Sequence, residues 1–472
     1  MHPPGFESRR VRDAETHVDI IAILGATLID GNGGSPSSDA VILIQGTRIL
    51  AIGGREMPVP SQARIIDASG KYVIPGLMDA NVHLFFACSP DALVRYEGRY
   101  GDVIREAAQI ALKNGLTTVF DTWGPRRALT RIRDQISRGD IPGSRIFLAG
   151  NIIGLGGPTS EDFFPLARTV LSRSVADTID ARWEQGVGSD LLWRTPEEVR
   201  ARVRAYIQSG QQDFVKYAGS GHGHVQYICF SEQVQRAIVE EGHRAGLTVQ
   251  SHTTTPESLR LAIEAGVDLL QHPDLTGPAS MPERTLASLV ERDIPCAALF
   301  VTRRFLAWSD DHLPEAVRIF NRYKDENDAR LINAGARILL TTDSGVLPEE
   351  AVGHPLLGSF VAAEDSPLWL GRSHFLWLEA AEQLGMDPMD ALLAATRNIA
   401  RAYRVDEHLG TLEEGKSADL LILERNPLEA AANYRGIHLV MKEGRVIDRD
   451  GLPTQPILTS LASSGPPPED PG

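Results

Sequence analysis

Cysteine is scarce in this sequence: Cys88, Cys229 and Cys296 are the only three in 472 residues, and they stand far apart. That number leaves no disulfide framework and no paired-cysteine motif. Long apolar runs are missing too. No stretch approaches the ~20 residues that a membrane span needs. The opening MHPPGFESRRVRD has no apolar centre of the kind a secretory signal carries. Basic charge is in deficit: 47 Lys and Arg stand against 62 Asp and Glu, a formal net charge of −15. Nucleic acid and anionic membrane surfaces would repel such a chain. The expectation is a soluble, cytoplasmic protein with a small-molecule substrate and no nucleic-acid or membrane partner.

What is present is ordinary globular composition, 42% hydrophobic and 23% charged, in a chain long enough for a large α/β barrel or two to three domains. Near the start, IIAILGATLIDGNGG and AVILIQGTRILAIGG are β-rich runs closed by glycine-rich turns. GKSADLLILERNP and IHLVMKEGRVID have the same character near the other end. One small sheet domain assembled from both termini is expected, over 18–72 and 406–450, with tails at 1–17 and 451–472. Between them, over 73–405, β-type runs alternate with amphipathic segments such as GDVIREAAQIALKNG. Eight strands are predicted, at 72–84, 117–122, 145–152, 213–217, 247–252, 267–272, 294–300 and 337–343. Eight β-then-α units predict an α/β fold of the (β/α)8, TIM-barrel type. The connections at 154–195 and 344–373 are too long for simple helices and are candidate lids or subunit contacts.

In such a barrel the chemistry lies at the carboxyl ends of the strands. The first predicted strand closes on Asn81 and His83, the fourth carries Lys216, and the fifth, sixth and eighth end at His252, His272 and Asp343. Any one of these residues would be read as structural. Their recurrence at the same end of separate strands predicts a metal site. Asn81 and His83 are two apart, so strand geometry points both to one face. Asp79 shares their parity but lies deeper, as a supporting carboxylate. His222 and His224, in the glycine-rich loop after the fourth strand, are candidates to polarise a substrate carbonyl. Phe85, Phe86, Trp123 and Phe300 follow strands and suit an apolar substrate, although at least half of them would be packing. Arg126, Arg127, Arg303 and Arg304 would favour an acylated amino acid or a dipeptide if one of them pointed inward.

The stretches GATLIDGNGG, YVIPGLMDANVHL, DFVKYAGSG, VQSHTTTPESLRLAIEAGVDLLQHPD, LLTTDSG and ATRNIARAYRVDEHLGTLEEGKSADLLILERNPL, in that order, resemble the metal-dependent amidohydrolase superfamily. The resemblance implies a (β/α)8 barrel with a β-sandwich built from both termini. It also implies one or two divalent ions, Zn2+ or else Co2+ or Mn2+, with no organic cofactor, and a homo-oligomer. Carried over by residue, His83 and position 81 hold one metal, and a carbamylated Lys216 bridges two. His252 and His272 hold the second, while Asp343 contacts the first and handles protons. Most of the superfamily has histidine at position 81. Asparagine there is similar to the herbicide-degrading branch of phenylurea and thiocarbamate (molinate) hydrolases. The implied reaction is attack of a metal-bound hydroxide on the carbonyl carbon of a phenylurea, releasing an aniline. The alternatives are a thiocarbamate hydrolase and a prolidase-like or N-acyl-amino-acid amidohydrolase. An amide oxygen is a weaker ligand to zinc than imidazole, so the first metal would be held loosely.

Overall fold

The computed structural model describes residues 20–86, 90–161, 163, 167–221, 227–347 and 363–454. From the N-terminal side come β1 (Ile20–Leu28), β2 (Ser37–Gln45), β3 (Arg48–Gly53), β4 (Arg64–Asp67) and β5 (Tyr72–Pro75). The middle supplies β6 (Leu77–His83), β7 (Leu116–Asp121), β8 (Arg145–Leu148), β9 (Ile152–Ile153), β10 (Val215–Ala218), β11 (Val249–His252) and β12 (Leu269–Gln271). It continues with β13 (Cys296–Ala298), β14 (Ile338–Leu340) and β15 (Ser344–Gly345). The C-terminal side adds β16 (Leu420–Leu423), β17 (Ile437–Lys442) and β18 (Arg445–Val446).

Both ends of the chain share one sheet, ordered β18-β17-β16-β5-β1-β2-β3, with β4 paired to β1. Its joint is the antiparallel pair β16 and β5, where Leu421 faces Ile74 and Ile422 faces Val73. One face closes over Ile23, Ile42, Ile44, Val73, Leu420 and Ile422. The middle of the chain forms two parallel arcs, β14-β13-β12-β11-β10-β9 and β15-β6-β7-β8. All seven residues of β6 are buried, Asp79 and Asn81 included. Parallel strands covered on both faces have this pattern, and a polar side chain there needs a partner inside.

The connecting helices carry their own start and stop signals. The helix Pro196–Gln208 begins at a capping box of Thr195 and Glu198 with proline in its first turn. The helix Pro256–Ala265 is capped by Thr255 and stops at Gly266, whose φ is +84°. Each such N-cap contributes about 1 kcal/mol. The helix Tyr100–Lys113 buries Val103, Ile104, Ala107, Ala108 and Ala111 along one face.

Two expectations need correction. The single run expected at 72–84 is two strands in different sheets, β5 and β6, broken at Gly76. A β-carbon at Gly76 would collide with Thr117, so glycine lets the chain cross closely from one sheet to the other. The run expected at 145–152 is likewise divided into β8 and β9, which lie in different arcs. The connection 154–195 contains the helices Ala167–Val170 and Arg173–Glu184 and the short 3-10 turn Ser189–Trp193. Of the other long connection, residues 348–362 lie outside the described residues.

Candidate metal centre

Register explains which polar side chains meet. In the parallel pair β10 and β11, Lys216 stands beside Gln250 and Ala218 beside His252. In β11 and β12, His252 stands beside Gln271. Gln250 and His252 share a face, because side chains in a strand alternate. By the same alternation, His272, one residue beyond Gln271, would point away from that face. Its backbone prevents this. His272 adopts φ of +60° and Asp343 φ of +55°, left-handed conformations rare in residues with a β-carbon and costing on the order of 1–3 kcal/mol each. The turn at His272 brings its ring to 5.1 Å from the ring of His252, edge to face.

Asp343 is the meeting point. Its Oδ1 lies 2.9 Å from His83 Nε2, and its Oδ2 lies 4.0 Å from His272 Nε2. The other ring nitrogen of His83 lies 3.2 Å from the Trp123 carbonyl oxygen. Burial would raise the Asp343 carboxyl, but the neighbouring His272 and His83, with Lys216, hold it well below the usual carboxylate range. Strand β15 lies directly beside β6, with Gly345 paired to His83. A β-carbon at Gly345 would strike the His83 carbonyl and Phe86, so only glycine lets these two strand ends approach.

Asn81 and Lys216 meet through Thr122. The Thr122 hydroxyl donates to Asn81 Oδ1, and Lys216 Nζ donates to Thr122 Oγ1 at 3.0 Å. Burial pulls the Lys216 ammonium down to about 8, against the opposing pull of Asp343 and Asp121. On its other side, Asn81 Nδ2 donates to Gln271 Oε1 at 3.1 Å. Gln271 Nε2 then donates to Gln250 Oε1. Gln250 Nε2 donates to Tyr403 OH at 3.2 Å, and Tyr403 OH donates to the Ala80 carbonyl at 2.7 Å. A backbone carbonyl only accepts, so Ala80 sets the direction of the whole chain of amides. That direction turns Asn81 Oδ1, not Nδ2, toward Thr122 and Lys216.

Two buried carboxylates brace the same region. Asp79 accepts from Asn81 N at 3.1 Å and from Thr342 Oγ1 at 2.6 Å, tying β6 to the segment that carries Asp343. Burial pushes its carboxyl up to about 7. Asp121, also pushed up to about 7 by burial, accepts from Leu84 N at 2.8 Å and ties the end of β6 to β7.

Whether these residues suit a divalent ion is a question of donor chemistry. Among the described residues, no three His, Cys, Asp or Glu side chains are arranged to hold an ion. His83 and Asp343 instead bond each other. Lys216 as an ammonium is no ligand, and the Asn81 oxygen is engaged by Thr122. The donor types nevertheless fit. Three imidazoles and a carboxylate, all from the ends of parallel strands, make a set suited to zinc and its neighbours.

His222 and His224 lie outside the described residues. None of the four arginines reaches this centre. Arg126 is buried against Tyr206 and Gln212, and Arg127 lines a surface cavity with Tyr100. Arg303 pairs with Asp325 at 2.6 Å, and Arg304 with Asp365. Of the aromatics, Phe85 packs on Tyr100 and Trp183, and Phe300 stacks on Trp377. Phe86 and Trp123 flank His83 at 5.8 Å and 5.9 Å between ring centres, and Phe163 stacks on Trp123 at 4.0 Å. Sequence reasoning missed Thr122, Gln250, Gln271 and Tyr403. The available signal was parity, since Gln250 lies two residues before His252 on the same face.

Imidazole and carboxylate side chains gathered at the carboxyl ends of parallel strands are the arrangement of an α/β enzyme. Residues 72–447 match the Amidohydrolase family, and the chain belongs to it. It is an enzyme, a hydrolase of that family. Among solved structures it is similar to molinate hydrolase, with 40% sequence identity and a TM-score of 0.88, over 96% of this chain and 99% of that one. It is similar to phenylurea hydrolase B at 36% identity and a TM-score of 0.88, over 95% of this chain and 100% of that one. Ochratoxinase of Aspergillus niger is 25% identical over 464 residues, 93% of this chain and 89% of its own length.

Proposed function

We propose that this enzyme is a metal-dependent hydrolase that cleaves the carbonyl C–N bond of phenylureas and releases an aniline. The observation that carries the reading is the meeting of His83, His272 and Asp343 beside His252, next to the aromatic face of Phe86, Trp123 and Phe163. That face suits a flat aryl group. In this reading the two parallel arcs close into a (β/α)8 barrel over 73–405, and the sheet shared by the termini forms a β-sandwich. The enzyme works in the cytoplasm.

His83, His252, His272 and Asp343 would hold one or two divalent ions, Zn2+ first, with Lys216 as a carbamate and Asn81 completing the set. Such an ion supplies a water acidic enough to attack at neutral pH and a Lewis acid for the carbonyl. Asp343, kept ionised by its imidazole neighbours, takes the proton of the attacking water and returns it to the departing nitrogen. The Trp123 carbonyl, 3.2 Å from its other ring nitrogen, would hold the His83 ring so that Nε2 and the Asp343 carboxylate, 2.9 Å apart, could serve one ion. Phe86 and Trp123 keep bulk water from the aryl side. His222 or His224 would polarise the carbonyl.

A thiocarbamate substrate is the second reading, favoured by the 40% identity to molinate hydrolase. A dipeptide or acylated amino acid is disfavoured, because Arg303 and Arg304 are occupied by carboxylates of the fold. Incubating the purified protein with diuron, molinate and an N-acyl amino acid, while measuring bound metal, separates these readings. Aniline release from diuron supports the first. Turnover of molinate alone selects the second. A metal-replete protein inert to diuron refutes the phenylurea assignment.

A further inference from the structure

The helix Arg126–Arg138 opens on RRALTR, with no acidic residue in its first turn and no side-chain cap. Arg127 and Arg131, one helical turn apart, are exposed. Among the described residues neither has a carboxylate within 4.0 Å. Both line a surface cavity of about 370 Å³ with Tyr100, Gly101 and Arg182. Arg131 lies across the backbone of the helix Tyr100–Lys113, for a β-carbon at Gly101 would come to 2.5 Å from its Nη2. Arg182 sits over the Tyr100 ring, 5.7 Å from its centre, and pairs with Glu97 at 2.8 Å. Three guanidiniums against one carboxylate make this cavity a local reversal of a chain whose net charge is −15.

The arrangement works against stability. Cations at the amino end of a helix oppose its dipole, and like charges four residues apart repel. An anion in the cavity would reverse each of these penalties. Guanidinium forks match phosphate oxygens two at a time, and the excess of two positive charges matches a dianion. We propose that this cavity binds a phosphate dianion, free or as the phosphate of a small organic ester. The site is distinct from the candidate metal centre. Between the two stand Trp123, Trp183 and Tyr100, with ring centres 6.0 Å and 5.3 Å apart in succession.

The test is calorimetric titration of the full chain with inorganic phosphate and, separately, with glycerol phosphate, against sodium chloride of equal ionic strength. One-site binding of either phosphate is expected, and the tighter of the two identifies the source. The variant Arg127→Gln with Arg131→Gln should bind at least tenfold more weakly. Without phosphate, its melting temperature should equal or exceed that of the parent, since a repulsion has been removed. The variant Arg127→Lys with Arg131→Lys keeps the charge but loses the forks, and should fall between the two. Heats no larger than those of chloride overturn the proposal. So does a glutamine variant that binds as tightly as the parent, because the phosphate would then sit elsewhere, the metal centre included.

Discussion

Gln271 accepts a hydrogen bond from the side-chain amide of Asn81 at 3.1 Å, and through it a backbone carbonyl beside Asn81 decides which way that amide faces. Replacing Gln271 with Leu leaves buried amides of Asn81 and Gln250 short of a partner, at a cost of about 1–3 kcal/mol. It also frees Asn81 to rotate. Urea denaturation should show the loss, and chelator competition should show zinc held roughly tenfold less tightly, the scale of lost supporting contacts in metal sites. Unchanged zinc affinity in a destabilised protein would mean that Asn81 serves packing alone.

Lys216 offers a sharper case. It is 1% exposed, and its substitution by Ala should remove bound metal and activity together, with metal per chain read by plasma mass spectrometry. An active, metal-replete variant refutes a bridging role. Changing Asn81 to His should alter affinity at the first metal position. If metal content and rate both stay the same, Asn81 is not a ligand.

Asp343→Asn keeps the shape of the site but removes the proton acceptor. Turnover of diuron should fall by roughly 10²–10⁴-fold. An aniline departs poorly without a proton, whereas a thiol needs it less, so molinate turnover should fall by less. Equal losses on both substrates would argue against proton delivery by this carboxylate.

Phe86 stands part-exposed beside His83. Its replacement by Ala should raise KM for diuron by about tenfold, since an aromatic contact contributes roughly 0.5–1.5 kcal/mol beyond its buried area. The aliphatic ring of molinate should lose less. A KM for diuron that does not move removes Phe86 from the substrate wall.

Stability should depend on acid through Glu241. Hydrogen bonds from Arg204, then from Arg244 and Arg200, outweigh burial and hold its carboxyl down at about 2. A folded-state value below the unfolded one means that the contribution is complete above the unfolded value, near 4.5. It fades as pH falls toward about 2. Glu241→Gln should therefore be less stable than the parent at pH 7 by about 1–3 kcal/mol, and the gap should narrow as the solution is acidified. A gap independent of pH would assign the effect to packing.

Much of this molecule was legible in its sequence, and the limits have physical causes. Each of the eight predicted strands has a counterpart, because parallel strands buried on both faces read as apolar runs. His83, His252, His272 and Asp343 stand out as candidates by their place at strand ends, and the structure sets them near one another. The crossing at Gly76 is not legible, since its cause is Thr117, 41 residues away in the chain. Gln250 and Gln271 look like ordinary polar positions until their register is known. The left-handed turns at His272 and Asp343 leave only a weak trace in residue type: histidine and aspartate are enriched in that conformation, but most of them do not adopt it.

Those two turns carry a consequence for the protein's evolutionary freedom. Glycine would relax the chain at either position, so random drift toward a sturdier molecule is drawn to the very places that supply two side chains of the proposed site. A histidine and an aspartate there are a thermodynamic handicap, and a laboratory search that selects only for heat resistance should be expected to discard one of them early.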